Sequence, residues 1–396
     1  MVEVLPWYFN GNYGMRSYYY LVSNASGDFL KKVFFIAGEA SGDIYGGLIA
    51  REMSRLSNTG QIEMQGWGGD KMKDAGVDVT KHYRELAYMG IWEVLLNLRT
   101  ISGNLNKCWR EIQEFKPDAL VLIDFPGFTM RIARKAAKAK WGEVKVFQVV
   151  APQVWAWKKG RTKDLARDYS AVFPVLPFEH KLLLDEGVKS IYCGHPLLDT
   201  LTVNQDKLLG TNKPILALLP GSRKQELKKM LPVLIEVAKQ FPEMESIIAG
   251  APGASESLYL KARDAGVRVV FGQTRDLLNS AKFSVITSGT ATLEAALLNT
   301  PHVLVYKTSW LTYVIAKLLV KVKYIGLSNL ILNREVVPEL VQGRCTVENV
   351  VNEIRSQEIS EQGHAFNEIR ESLGQSGASK RIATKILEII SINHSS

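Results

Sequence analysis

Three junctions at which an apolar run leads through a glycine-containing turn into a helical pattern constrain this chain more than any other feature. The most informative covers Val285–Ala296, where the turn is Ser288-Gly289-Thr290. The other two turns are Gly38–Asp43 and Gly221–Arg223, each of which also follows an apolar run. Parallel strands that enter helices through such turns are typical of doubly wound α/β domains.

Each of these turns is suited to binding an anion, because the first amides of a helix lack partners and the helix dipole favours negative charge. The amides of residues 289–291 would point at a phosphate, and Glu294 would accept hydrogen bonds from a ribose. Arg223 would clamp a diphosphate. An ordinary N-cap is the alternative for Ser288. No turn carries a dinucleotide or P-loop motif, so those sites are disfavoured.

The composition favours a soluble two-domain protein with an anionic ligand. The chain has 396 residues, 46% of them hydrophobic and 22% charged, and a formal charge of +9. It has no dense Lys/Arg run or nucleic-acid motif, which favours a phosphorylated substrate or lipid headgroups over nucleic acid. Three separated cysteines and six histidines without ligand spacing predict a reducing compartment, no metal and no cofactor. No apolar stretch is long enough to span a membrane, so we expect a cytoplasmic protein.

Apolar runs alternate with helical patterns from Val33 onward, which predicts two Rossmann-like domains facing across a ligand cleft. The predicted strands are Val33–Ala37, Glu63–Gly66, Ala119–Ile123, Val144–Val150, Ala171–Leu176, Ser190–Cys193, Ile215–Leu219, Ser246–Ala249, Val267–Phe271, Phe283–Thr287 and His302–Tyr306. The predicted divisions are a disordered or non-native extension at 1–30, a first domain at 31–201, a linker at 202–213, a second domain at 214–345 and helices at 346–396 that pack back on the domains.

Asp124 is the predicted general base. It follows a strongly apolar strand, a position where open α/β sheets carry functional groups, and it would take a proton from a hydroxyl nucleophile. An Asx-turn or a helix cap is the alternative. Glu39 and Asp43 flank the first glycine turn and would bind sugar hydroxyls, although Asp43 is equally suited to capping. His195 is more typical of a hydrogen-bonded hinge residue than of a base.

Two amphipathic segments suggest an apolar partner. Residues 89–99 and 310–321 carry apolar side chains at helical spacing, and Lys317, Lys321 and Lys323 accompany the second segment. Such helices would lie on an anionic membrane surface. Burial in the core is the alternative for both segments.

Five motifs, in order along the chain, resemble those of lipid-A-disaccharide synthases. They are Ala37–Asp43, Glu85–Leu95, Pro152–Trp157, Leu219–Glu226 and Ser288–Glu294. The resemblance implies a B-type glycosyltransferase fold and an inverting, metal-independent hexosyl transfer in the biosynthesis of lipid A. The implied donor is UDP-2,3-diacylglucosamine and the implied acceptor is 2,3-diacylglucosamine 1-phosphate. The products would be a β-1,6-linked disaccharide 1-phosphate and UDP, formed at the cytoplasmic face of the inner membrane.

The resemblance also implies roles for individual residues. Asp124 would be the base for the acceptor 6-hydroxyl, with Glu39 as the alternative base. Arg223 and the turn at 288–290 would stabilise the leaving UDP. The implied substrate-binding residues are Gly38, Ser41, Gly42, Asp43, Met89, Gly221, Ser222, Ser288, Gly289, Thr290, Glu294 and Asn329.

Two positions depart from the family pattern. Ser328 stands where members often have proline, and Gly127 stands where some carry a second acid, so no carboxylate relay to Asp124 is expected. The alternative function is that of a UDP-N-acetylglucosamine-using enzyme of the same fold, either a peptidoglycan transferase or a UDP-sugar epimerase. An epimerase has no use for apolar helices, and a lipid carrier would not need Asp124, Arg223 and Glu294 together.

Overall fold

The fold consists of two six-stranded sheets with flanking helices. The structure is a computed structural model that describes residues 30–57, 61–86, 98–139, 144–155, 160–201, 210–251, 254–309, 313, 323–356 and 359–391. The described strands are β1 Lys31–Ala37, β2 Ile62–Gly68, β3 Asp78–His82, β4 Ala119–Ile123, β5 Lys145–Val149, β6 Ala171–Phe173, β7 Ile215–Leu219, β8 Glu245–Gly250, β9 Arg268–Phe271, β10 Ala281–Thr287, β11 His302–Tyr306 and β12 Glu339–Val341.

The helices alternate with these strands along the chain. The described α-helices are α1 Ala40–Leu56, α2 Asp70–Asp74, α3 Leu98–Phe115, α4 Pro126–Lys138, α5 Arg161–Asp168, α6 Pro177–Asp185, α7 Lys224–Lys239, α8 Leu260–Asp264, α9 Thr274–Ser280, α10 Thr290–Leu297, α11 Leu327–Leu332, α12 Val347–Ser356, α13 Ile359–Leu373 and α14 Ala378–Ser391. Short 3₁₀-helices lie at Tyr83–Leu86, Pro196–Thr200, Glu256–Tyr259 and Gln342–Arg344.

Both sheets have the strand order of a Rossmann fold. The first runs β3-β2-β1-β4-β5-β6, and the second runs β12-β11-β10-β7-β8-β9, which is the same order read from the opposite edge. Every strand pair whose register is described is parallel. The strand order reverses between β1 and β4 in the first sheet and between β7 and β10 in the second. In open α/β sheets, ligands bind beyond the carboxyl ends of the strands at such a point. The predicted α/β fold class, with two Rossmann-like doubly wound sheets, is confirmed.

The central strands are continuous apolar runs because helices cover both faces of a parallel sheet. All of β4 and the last five residues of β1 are buried, as is all of β7. Helix α7 presents a matching stripe, and its buried residues recur at intervals of three and four: Leu227, Met230, Leu231, Leu234, Ile235, Val237 and Ala238. This stripe belongs to a core cluster that includes Leu216 and Leu218 of β7.

Two edge strands were not predicted, and one predicted strand is wrong. Residues 190–193 form no strand, and Ser190 makes only an isolated bridge to Val172 of β6. Strands β3 and β12 lie at the outer edges of their sheets and each has one neighbour. An edge strand is less fully covered than a central one, and β3 has no fully buried residue, so neither strand shows a long apolar run.

The backbone divides into two compact units, residues 1–148 with 382–396 and residues 149–381. Much of the predicted extension and linker, at 1–29 and 202–209, lies outside the described residues, as do most of the two amphipathic segments and Met89. The predicted domain boundaries stay a prediction. None of the described helices is both long and apolar enough to cross a membrane.

Candidate functional site

In the first unit, the turns that follow β1 and β4 lie side by side. Ala37 pairs with Ile123 at the ends of the two strands, so Gly38 and Asp124 begin adjacent turns. A Cβ added at Gly38 would lie 2.4 Å from Cγ and Cδ1 of Phe125. The ring of Phe125 therefore covers the backbone of Gly38, and only glycine permits this approach.

The backbone at Asp124 is strained and firmly held. Asp124 has φ 49° and Phe125 has φ 51°, both in the left-handed region. Such residues typically cost on the order of 1–3 kcal/mol each, and they cluster at functional sites. The Thr129 hydroxyl donates to the carbonyls of Asp124 and Phe125 at 3.0 and 3.1 Å, and the Gln148 side-chain amide donates to the Asp124 carbonyl at 3.4 Å. These bonds fix the turn that carries the half-buried Asp124.

The other predicted residues of the first unit lie at the start of α1. Glu39 occupies its N-cap position, and both Glu39 and Ser41 are half-buried. A Cβ added at Gly42 would be 3.3 Å from the Cβ of Ala37, so the start of the helix packs closely on β1.

The buried Asp43 carboxylate caps α2 instead of its own helix. It accepts the amides of Gly69, Lys71 and Met72 at 2.8, 3.0 and 3.1 Å. The structure therefore shows a bracing role for this carboxylate, whereas its predicted contact with a sugar stays a prediction.

In the second unit, the turns after β7 and β10 are likewise adjacent, because Leu219 pairs with Ile286. Gly221 has φ 97°, and a Cβ added there would lie 2.4 Å from Glu226 Oε2. That oxygen accepts the amides of Ser222 and Arg223 at 3.1 and 3.3 Å, and Arg223 Nη1 lies 3.7 Å from Glu226 Oε1. The amides of this turn thus bind a carboxylate of the same chain.

The turn after β10 is open to solvent. Gly289 and Thr290 are exposed, and nothing lies within 4 Å of a Cβ added at Gly289. The Thr292 amide and hydroxyl donate to the Gly289 carbonyl at 3.2 and 2.8 Å, and the Ser288 amide donates to Val305 at 3.3 Å. Because the first amides of a helix have no acceptor within it, an anion can approach this turn along the axis of α10.

Tyr306 lies near these two turns, and it belongs to none of the motifs. Thr287 pairs with Val305, so Tyr306 ends β11 level with Ser288. Burial raises the pKa of Tyr306, the negative charge of Glu226 raises it further, and Arg223 opposes the shift. A hydrogen bond with the Thr308 side chain also opposes the shift, and the raised pKa means that the phenol keeps its proton at neutral pH. No sequence motif marked this tyrosine.

Glu294 lies one helical turn after Thr290 and is paired with Arg275. Arg275 Nε and Nη2 donate to Glu294 Oε1 at 3.1 and 3.0 Å. Arg275 is a second residue that the sequence analysis missed, because it belongs to none of the motifs and reaches Glu294 only through the packing of α9 beside α10.

Asn329 uses every hydrogen-bonding position of its side chain within the protein. Its Nδ2 donates to the Val337 carbonyl and to Glu339 Oε1 at 2.8 and 2.9 Å, and its Oδ1 accepts the amides of Val336 and Val337 at 2.8 and 2.9 Å. An amide side chain offers two donor and two acceptor positions. Asn329 therefore braces the loop at 336–339, and its predicted contact with the donor stays a prediction.

His195 has the surroundings of a structural residue. It is buried, its Nδ1 accepts the Leu197 amide at 3.1 Å, and burial lowers its pKa to about 4, partly opposed by Asp199. A histidine that stays neutral at pH 7 and holds a 3₁₀-helix fits the predicted hinge role better than that of a base. Within the described ranges, no three His, Cys, Asp or Glu residues form a group that could hold a metal ion.

Comparison with known proteins identifies the family. The model of the lipid-A-disaccharide synthetase family matches residues 33–385. The chain is 36% identical over 383 residues to the lipid-A-disaccharide synthase of Syntrophus aciditrophicus, covering 91% of this chain and 98% of that one. It is 34% identical over 380 residues to the lipid-A-disaccharide synthase of Geobacter sulfurreducens, covering 91% and 97% of the two chains.

Solved structures share the fold at much lower identity. The UDP-GlcNAc 2-epimerase from Neisseria meningitidis, bound to UDP-GlcNAc, has a TM-score of 0.63 at 15% identity, covering 90% of this chain and 100% of that one. A calicheamicin glycosyltransferase has a TM-score of 0.58 at 14% identity, covering 91% and 98%. These likenesses bear on the fold alone, whereas the family model and the curated relatives bear on the kind of enzyme. The chain belongs to the lipid-A-disaccharide synthetase family.

Proposed function

We propose that this chain transfers the sugar of UDP-2,3-diacylglucosamine to the 6-hydroxyl of 2,3-diacylglucosamine 1-phosphate, giving the β-1,6-linked disaccharide 1-phosphate and UDP. By family membership the chain is a glycosyltransferase of lipid A biosynthesis. The observation that carries the proposed mechanism is the position of Asp124. Asp124 follows Ile123, at the point where the strand order of the first sheet reverses. It lies on a strained and firmly held turn beside Gly38.

In the proposed mechanism, Asp124 removes the proton from the acceptor 6-hydroxyl while that oxygen attacks the anomeric carbon of the donor. The bond between the anomeric carbon and the diphosphate breaks on the opposite face, so the configuration inverts and UDP leaves. A positioned general base contributes about 10²–10⁴-fold to the rate of such a step. Glu39, at the start of α1 in the same unit, is the alternative base.

Stabilisation of the leaving UDP falls to cationic and amide groups of the second unit. Arg223 and the exposed turn at 288–290 would bind the diphosphate, with the protonated Tyr306 as an additional donor. Donors aimed at developing charge are typically worth about 10²–10³-fold each. Glu226 accepts the amides of Ser222 and Arg223, so a diphosphate that binds these amides must displace its carboxylate.

We further propose that the enzyme works at the cytoplasmic face of the inner membrane. Both proposed substrates carry acyl chains, and the formal charge of +9 favours an anionic surface. A UDP-N-acetylglucosamine-using enzyme is not favoured. The curated relatives named above are synthases at 34–36% identity, whereas the epimerase structure is 15% identical.

The test is transfer between the two acylated sugars in detergent, with EDTA present, comparing the wild type with Asp124→Asn and Glu39→Gln. We expect disaccharide formation by the wild type and a loss of at least about 10²-fold in kcat for Asp124→Asn. Binding of UDP, measured by calorimetry, should be unchanged in that variant. A larger loss in Glu39→Gln than in Asp124→Asn would transfer the base role to Glu39. If the wild type turns over UDP-N-acetylglucosamine and does not turn over the acylated donor, the substrate assignment is overturned.

A further inference from the structure

We propose that Arg275 is a positioning residue that holds the Glu294 carboxylate in the orientation needed to bind the ribose of the UDP-sugar donor. This inference rests on the proposed function and on the expectation, from the sequence, that Glu294 contacts that ribose. Arg275, Glu294 and Thr200 all belong to the unit formed by residues 149–381.

Three different nitrogens of Arg275 are bound, which fixes the plane of its guanidinium group. Nε and Nη2 donate to Glu294 Oε1 at 3.1 and 3.0 Å, and Nη1 donates to the Thr200 carbonyl at 2.9 Å. Arginine presents its donors in a rigid planar fork, whereas lysine is a flexible point charge. Contacts on both edges of the fork hold the guanidinium in place, and its two donors in turn hold Oε1 of Glu294 beside α9.

The arrangement leaves the second carboxylate oxygen for a ligand. A carboxylate offers about four acceptor positions, and both described contacts to Glu294 fall on Oε1. In the described part of the chain no recorded donor reaches Oε2, and the Glu294 side chain is 17% exposed. Glu294 also lies one turn beyond Thr290, so a diphosphate at the start of α10 would bring its ribose to this oxygen.

Charge supports the same role. A carboxylate next to a diphosphate site would repel the ligand unless a cation neutralised it, and Arg275 is that cation. The Arg275 side chain is 35% exposed, so solvent partly screens its ion pair with Glu294 and can hydrate the carboxylate once the arginine is gone. Substitution of Arg275 should therefore leave the chain folded while it releases Glu294 from its fixed orientation.

The test compares the binding of UDP, 2′-deoxy-UDP and 3′-deoxy-UDP by calorimetry in the wild type, Arg275→Met and Arg275→Lys. A deoxy analogue that lacks the hydroxyl bound by Glu294 loses a hydrogen bond to a charged group. That analogue should therefore bind the wild type at least about 10-fold less tightly than UDP does. In Arg275→Met this ratio should fall to within about 3-fold, because the carboxylate is no longer oriented. Arg275→Lys should behave likewise, since a lysine cannot form the fork.

The matched control is Arg334→Met. Arg334 Nη2 donates to both oxygens of Glu368 at 2.7 and 2.8 Å within the same unit, with side chains 45% and 54% exposed, and this substitution should leave the ratio unchanged. Each ratio is internal to one variant, so it does not depend on the fraction of folded protein.

Failure of this inference differs from failure of the proposed function. If the wild type discriminates against the deoxy analogues and Arg275→Met discriminates equally, the inference alone is overturned. A ratio retained only by Arg275→Lys also overturns it, because charge without the fork would then suffice. If the wild type itself binds all three nucleotides equally, Glu294 does not contact the ribose and the inference is overturned, whereas the proposed function is overturned only if the wild type forms no disaccharide.

Discussion

Replacing Gly38 with alanine should displace Asp124 without removing a functional side chain. The new Cβ would lie 2.4 Å from Cγ and Cδ1 of Phe125, whereas carbon atoms in contact are separated by about 3.5 Å. Either the Phe125 ring must therefore move by about 1 Å, or the turn that follows β1 must move by a similar distance. Phe125 directly follows Asp124, and both residues have a positive φ, so the turn has little freedom to absorb the shift.

The expected loss in kcat is about 10²-fold, which is typical of a 1 Å misplacement near the reacting groups. Overpacking should also lower the free energy of unfolding by about 1–3 kcal/mol. The affinity for UDP should stay within about twofold, because the turns proposed to bind UDP belong to the other unit.

The assay is single-turnover disaccharide formation at saturating donor, combined with calorimetry of UDP binding. Gly127→Ala is the matched control, because Gly127 lies two residues after Phe125, is exposed, and has nothing within 4 Å of an added Cβ. This control should keep wild-type kcat within about twofold. If Gly38→Ala keeps its kcat within the same range, the contact between Gly38 and Phe125 does not position Asp124, and the reasoning is refuted.

Two further predictions concern stability. Burial lowers the pKa values of His195 and His302 to about 4, below the value of about 6.5 expected in an unfolded chain, so the unfolded state binds more protons between these limits. Their contribution to stability is therefore complete above about pH 6.5 and is lost as the pH falls towards 4, by about 2 kcal/mol per histidine between pH 7 and pH 5. Urea titrations at pH 7 and pH 5 measure this loss, and His302→Gln should remove the part of it that His302 causes. If the free energy of unfolding of that variant falls between the two pH values as much as that of the wild type, His302 does not cause the loss. Asp43→Asn should lower the free energy of unfolding by about 2 kcal/mol, because one of the two accepting oxygens becomes an NH₂ donor and the charge that strengthens the remaining bonds is lost. The substitution should leave the KM for the acceptor unchanged. A raised KM with unchanged stability would show instead that Asp43 contacts the substrate.

The central strands could be predicted from the sequence because burial on both faces leaves a continuous apolar run. The predicted bounds of Ala119–Ile123, Ile215–Leu219 and His302–Tyr306 agree with the structure at both ends. A strand whose side chains are only partly buried shows no continuous apolar run, and a local pattern does not record its pairing with a neighbour. The polar strand Asp78–His82 was missed for this reason.

The candidate site was only partly predictable, because the use of a polar side chain depends on partners far away in sequence. Asp43 was correctly located beside the first glycine turn, but its carboxylate binds amides 26 to 29 residues away. The resemblance assigned Asn329 to the substrate site, yet its amide is fully used by the loop at 336–339. Arg275 and Tyr306 belong to no motif and reach the site through strand order and helix packing.

The sequence by itself determined the local features of this protein: the buried strands, the glycine turns after β1, β7 and β10, and the motifs that identify its family. These follow from interactions among residues close together in the chain, such as side-chain burial at fixed spacing and the steric freedom of glycine. Only the tertiary structure decided which polar groups are bound within the protein and which face a ligand. That choice depends on parallel pairing, which brings Gly38 next to Phe125, and on helix packing, which brings Arg275 next to Glu294. The carboxylate of Asp43, which accepts backbone amides, and that of Glu294, which is paired with an arginine, cannot be told apart in the sequence. Their partners are supplied by the fold.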